Sequence, residues 1–293
     1  MSGFYLTFIL CLLSASSRVL LKKGFANATP TTGTAVSILI GFIFLAMIAI
    51  PKIIINFHTL NYQGLLMFLG IGTIAPPLVR FLSYTGIDRI GASRADPLRS
   101  TQPIFAIIIG SLLMSELPTW KVWLATFFII VGTYVLTRPR KGHISKTENK
   151  KDYLYPLGAA LVAGFIMVAR KYSMQFVLDP AIAAFTSASS ALVVFGVYLL
   201  LTGKKQKIEL NKSSMKYLVI AGTLTALTDV LDLFILKISE VKIVAPLLGT
   251  IPLFVILLSS IFLKKEEVVS AKTWIGATLI MVGVQFVFYE VKL

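Results

Sequence analysis

The chain of 293 residues is 56% hydrophobic and only 14% charged, with a mean hydropathy of +0.84 and a formal net charge of +15. Water does not tolerate that much exposed apolar surface, so a soluble globular domain is excluded and a chain embedded in a bilayer is expected. Net charge of this sign would suggest nucleic acid in a soluble protein, but the basic residues here fall between apolar runs, where anionic lipid and the positive-inside bias place them, so no nucleic-acid partner is expected.

A helix needs about 20 apolar residues to cross the hydrocarbon core. In chain order, apolar runs bounded by charge or turn residues predict helices near 4–22, 34–50, 64–86, 93–115 and 120–136. The first run resembles a signal-peptide core ahead of Ala15-Ser16-Ser17, yet no Lys or Arg precedes it, so a retained first helix is expected. A polar stretch follows, with Arg138, Arg140, Lys141, His143, Lys146, Lys150 and Lys151. It reads as a linker at 139–152 between units at 1–138 and 153–293. The second unit predicts helices near 153–172, 180–201, 215–236, 242–263 and 273–289.

The two units repeat. Shifted by 149 positions, Pro97 falls on Pro246, Thr101 on Thr250, Pro103 on Pro252, Phe105 on Phe254 and Ser111 on Ser260. With a two-residue slip, Trp123 meets Trp274 and Gly132 meets Gly283. Chance apolar similarity does not align Pro, Thr and Trp together. Five helices is an odd number, so the second unit enters the membrane from the opposite side. The expected fold is an all-α membrane protein of ten transmembrane helices in two inverted five-helix repeats, the plan of many secondary transporters. The paired prolines Pro97/Pro103 and Pro246/Pro252 mark the fourth and ninth helices as kinked, because proline lacks the N–H of the helical ladder.

The stretch from Gly91 through Ala95-Asp96-Pro97-Leu98-Arg99-Ser100-Thr101-Gln102-Pro103, on to Ser115-Glu116 and Trp120–Gly132, resembles the signature of EamA-like proteins of the drug/metabolite transporter superfamily. Ala245-Pro246 to Pro252-Leu253-Phe254, then Lys265-Glu266 and Trp274–Gly283, resembles it again. The resemblance spans the chain. It implies ten helices, a central cavity lined largely by the first, third and fourth helices and their counterparts, alternating access, and a small-molecule solute such as an amino acid or nucleotide sugar. Asp96 stands where such signatures commonly hold a small residue.

A charge at membrane depth costs about 2.5–3.5 kcal/mol, so each needs a reason. On the eighth helix, Thr225, Thr228, Asp229 and Asp232 form one polar stripe at i, i+3, i+4, i+7. Its two carboxylates are candidates either to hold a coupling proton or cation or to anchor basic residues of other helices. Arg18, Arg80, Asp96, Arg99, Gln102 and Thr250 complete the candidate solute site. Asp96 and Arg99 are close enough in sequence to pair along a helix; alternatively, Arg99 offers a planar fork to a carboxylate or phosphate. Arg80 plus 149 is Asp229, so these two are expected to pair, leaving Asp232 freer to titrate. Lys22 and Lys171 are expected to reach an interface, and Thr186, Ser189 and Ser190 to serve packing.

Neither His58 nor His143 neighbours a Cys or an acidic cluster, and Cys11 is the single cysteine, so no metal and no internal disulfide are expected. No phosphate-binding loop suggests direct ATP drive, and no cofactor is expected. The favoured reading is a non-enzymatic secondary transporter, an exporter of small amino-acid-like or anionic metabolites. The alternative is an integral membrane enzyme or flippase acting on a lipid-linked substrate. Localisation in the plasma or inner membrane is expected, as a monomer or weak homodimer. The loops after the fifth, seventh and ninth helices concentrate Lys and Arg, which places the linker in the cytoplasm and both termini outside.

Overall fold

The computed structural model describes residues 2–24, 30–90, 98–137, 150–177, 179–202, 212–262 and 271–291. Every regular element among them is helical. In chain order these are α1 (Ser2–Gly24), α2 (Pro30–Ile55), α3 (Tyr62–Ile90), α4 (Gln102–Met114), α5 (Trp120–Thr137), α6 (Leu154–Ser173), α7 (Pro180–Thr202), α8 (Lys212–Ile238), α9 (Val241–Leu248), α10 (Ile251–Phe262) and α11 (Ala271–Val291). Seven described segments are long and apolar enough to cross a membrane, and three shorter apolar helices, 62–75, 102–114 and 120–136, accompany them. This is a multi-pass membrane protein.

One expected helix is two. The run near 242–263 breaks at Gly249-Thr250 into α9 and α10. Pro252 has no N–H to offer the carbonyl four residues back, so the ladder lapses there. Tighter i→i−3 bonds replace it: Thr250 N–H to Leu247 O at 3.0 Å and Leu253 N–H to Thr250 O at 2.9 Å. The first repeat builds the same turn ahead of α4, with Thr101 N–H to Leu98 O at 3.2 Å and Ile104 N–H to Thr101 O at 3.0 Å. The threonine hydroxyls match as well. Thr101 Oγ1 donates to Leu98 O at 2.6 Å, and Thr250 Oγ1 to Leu247 O at 2.7 Å. All three bonds coincide under the 149-residue shift, so the repeat is one of backbone geometry as well as of letters. The helix that follows this turn, α4, begins at Gln102; residues 91–97, with Asp96 and Pro97, lie outside the described residues.

The chain divides into two compact units, one comprising 1–11, 75–169 and 238–293, the other 12–74 and 170–237. In the first, α5 packs on α11 through small residues. A Cβ added to Gly132 would stand 2.7 Å from Gly276 O, and one on Gly276 would stand 2.8 Å from Gly132 O. One on Gly283 would stand 2.8 Å from Ala125 O. Going from 132 back to 125 on α5 therefore leads from 276 forward to 283 on α11, so the two helices run antiparallel. Phe128 and Phe286 stack in parallel beside this contact, 6.0 Å apart. α4 packs on α9, with Gly110 facing Val241.

In the second unit, α2 packs on α7, with Phe42 and Phe185 stacked at 5.3 Å. Ser187 donates to Phe68 O of α3 at 3.0 Å, where Gly72 leaves room for Ser187 and Ser190. Thr186 and Ser189 each bond the carbonyl four residues back at 2.8 Å. These small hydroxyls serve packing.

Candidate functional site

The second unit gathers charge on two helices. α8 presents Asp229 and Asp232 one turn apart, so a single group from a neighbouring helix can reach both. That group is Arg170, near the C-terminal end of α6. Its Nη1 donates to Asp232 Oδ2 at 3.1 Å and to Asp229 Oδ1 at 3.4 Å. Its Nη2 lies 3.5 Å from the same Asp229 oxygen. The side chains are 22% exposed for Arg170, 41% for Asp229 and 15% for Asp232, so the tighter bond goes to the deeper carboxylate. Arg170 Nε is buried without a hydrogen-bond acceptor, an arrangement that costs about 1–3 kcal/mol for a polar group left unmade.

A hydroxyl layer continues the stripe. Thr228 Oγ1 donates to Thr225 O at 2.7 Å, and Thr225 Oγ1 to Ala221 O at 2.8 Å. Ser17 of α1 donates to Ala221 O at 3.0 Å, with its oxygen 2.8 Å from Thr225 Oγ1. These bonds tie α1 to α8 and hold the stripe in register. Lys171 turns its ammonium to Leu236 O at 3.3 Å, in the last turn of α8. There the unpaired carbonyls of a helix end favour a cation. Lys171 was expected at an interface; Lys22 has its side chain outside the described set.

A second polar site closes one end of α2 and α7. Lys52 Nζ meets Asp179 Oδ2 at 2.6 Å. Asp179 also accepts from Ala181 N–H at 2.7 Å, starting α7 ahead of Pro180. Burial pushes the Asp179 carboxyl up, but the bonds from Lys52 and from the Ala181 and Ile182 amides outweigh it and hold it below the ordinary carboxylate range. A cleft of about 230 Å³ lies beside it, lined by Asn56, Leu60, Asn61, Leu65, Val177, Asp179 and Ile182.

The other expected site residues scatter. Arg18 is exposed on α1, and Arg99 is half-buried in the turn before α4, whose first residue is Gln102. Thr250 is 1% exposed, its hydroxyl committed to Leu247 O with Cys11 Sγ 3.6 Å away. Pro103 and Pro246 are buried and Pro252 is half-buried. The side chain of Arg80 is outside the described set. The expected pairing of Asp229 with Arg80 rests on a side chain outside the described residues; among the described residues Asp229 is reached by Arg170, and Asp232, anticipated as the freer carboxylate, takes the shortest bond of the cluster. The reason is reach: one guanidinium spans two carboxylates on adjacent turns. Arg170 was missed because it sits three residues from the end of α6 and reads as an interfacial charge. The signal available was its place inside the predicted helix, behind Ile166, Met167 and Val168, all buried. Among the described residues no group of three His, Cys, Asp or Glu could hold a metal.

No protein of curated function matches the sequence. A solved structure described only as a crystal structure of protein is similar over 99% of this chain and 97% of its own, with a TM-score of 0.79 at 16% identity, a likeness of fold alone. The family model of the EamA-like transporter family matches residues 1–138 and again 150–289. Two copies of that pattern, each built around the same threonine–proline turn, place the chain in the EamA-like transporter family, within the drug/metabolite transporter superfamily.

Proposed function

We propose that this transporter is a secondary exporter of small amino-acid-like or anionic metabolites. It works by alternating access, and its ten transmembrane helices form two inverted five-helix repeats on either side of the 139–152 linker. The antiparallel contact of α5 with α11, repeat-equivalent helices, supports the inversion. The observation that carries the solute reading is the charged cluster of α6 and α8. Arg170 with Asp229 and Asp232 combines both signs of charge within helices long and apolar enough to span a membrane, where each charge is costly. Mixed charge suits a zwitterion or organic anion; a lipophilic cation would call for bare carboxylates and aromatic faces. Arg18, Arg80, Asp96, Arg99, Gln102 and Thr250 are the further cavity candidates. A coupling proton or cation, residence in the plasma or inner membrane, and a monomer or weak homodimer complete the reading.

The test is export itself. Proteoliposomes loaded with a metabolite mixture should release a small set of polar solutes faster than protein-free vesicles. Arg99→Ala should slow that release while the protein still inserts. Release no faster than from empty vesicles, for every solute in the mixture, would sink the transport reading.

A further inference from the structure

Charge and hydrogen bonding within the cluster are both incomplete. One guanidinium faces two carboxylates, so with both acids ionised the trio is one positive charge short. The two carboxylates are not equivalent. Asp232 is the deeper and holds the 3.1 Å bond, whereas Asp229 is the more exposed and receives only the 3.4 and 3.5 Å contacts. The deficit therefore falls at Asp229, on the accessible side. On the guanidinium the deficit is the reverse. The edge formed by Nε and Nη2 is the one that grips a carboxylate through two parallel N–H bonds. Here Nε has no acceptor and Nη2 has only the 3.5 Å contact. Thr225 and Thr228 each donate to backbone carbonyls, so neither hydroxyl proton goes to Asp229.

We propose that Arg170, Asp229 and Asp232 form the head-group site of the solute, and that it works by exchange of ion partners. The solute's ammonium takes Asp229, and its carboxylate occupies the Nε–Nη2 edge of Arg170, displacing Asp229 from its 3.5 Å contact with Nη2. Asp232 stays on Nη1 and keeps the guanidinium aimed. No covalent bond changes; one weak ion pair is traded for two. In the solute-free arrangement Asp229 lies across Nη1 and Nη2 at 3.4 and 3.5 Å and Nε is buried, and the two aspartates keep the cation from standing uncompensated. This inference rests on the transporter reading and narrows it. A simple organic anion would add a negative charge where the trio already has one in surplus, so the site selects solutes that carry an ammonium beside the carboxylate.

The experiment measures binding, independently of export, on the purified full chain in lipid nanodiscs. Probes are the individual proteinogenic amino acids, the matching carboxylic acids without the amino group, and the matching amines without the carboxylate. Some amino acids should raise the melting temperature, and neither truncated set should. Asp229→Asn leaves Arg170 and Asp232 as a matched pair, so the variant should fold with a wild-type melting temperature and lose at least tenfold in amino-acid affinity. Arg170→Lys should also weaken binding tenfold or more, since an ammonium lacks the two-pronged edge. A shift by the bare carboxylic acids equal to that by amino acids would overturn the proposal. So would wild-type affinity in Asp229→Asn, or no shift by any amino acid. Export without such binding would leave the transporter reading standing and reject this site alone.

Discussion

Thr101 and Thr250 show how one hydroxyl can hold an interrupted helix. Each donates to the carbonyl three residues back, inside a turn that proline has opened. Thr101→Val and Thr250→Val keep the shape and remove the donor, so each should lower stability by about 1 kcal/mol. Thermal unfolding in detergent would check this, and clearly unequal losses would show that the two turns are not equivalent. Asp179 invites a pH test. Its folded pKa lies below the ordinary value, so its pairing with Lys52 and the α7 amides stabilises the fold above the ordinary Asp range. That contribution fades as pH falls through the lowered value. Asp179→Asn should therefore melt below wild type at neutral pH, and the gap should narrow below about pH 3.9. A gap independent of pH would show that the carboxylate's charge is not what stabilises this end of α2 and α7.

At the scale of elements, close helix approach depends on missing side chains. α5 and α11 touch backbone to backbone at Gly132 and Gly276, and again at Ala125 and Gly283. In lipid no hydrophobic force draws helices together, so such small-residue contacts carry the association. Gly132→Val would place carbon 2.7 Å from a carbonyl oxygen, and should destabilise by roughly 1–3 kcal/mol. Gly70, with nothing within 4 Å of its added Cβ, is the control: Gly70→Ala should change the melting temperature little. Equal losses at both positions would mean that the α5–α11 contact is not what Gly132 serves.

At the scale of the whole molecule, orientation is the open physical variable. We propose from the charge bias that the linker lies in the cytoplasm. Cys11 is buried, so a cysteine introduced as Ser145→Cys reports on the linker alone. It should resist impermeant thiol reagents in intact cells, and ready labelling would reverse the orientation. Spans, repeat and family were legible in the sequence because they follow from local properties. Apolar run length sets what can cross a bilayer, and proline breaks a ladder wherever it falls. The turn around Thr250 was marked by its prolines, and the polar stripe on α8 by its spacing. What the stripe faces was not legible. The 149-residue offset suggested Arg80 for Asp229, a side chain outside the described residues, and gave no hint of Arg170, which reaches Asp229 at 3.4 Å. A repeat offset relates positions by symmetry, whereas an ion pair depends on which side chain from another helix arrives within about 3–4 Å. Only tertiary packing decides that, and it brought Arg170, 59 and 62 residues away in sequence, between the two aspartates.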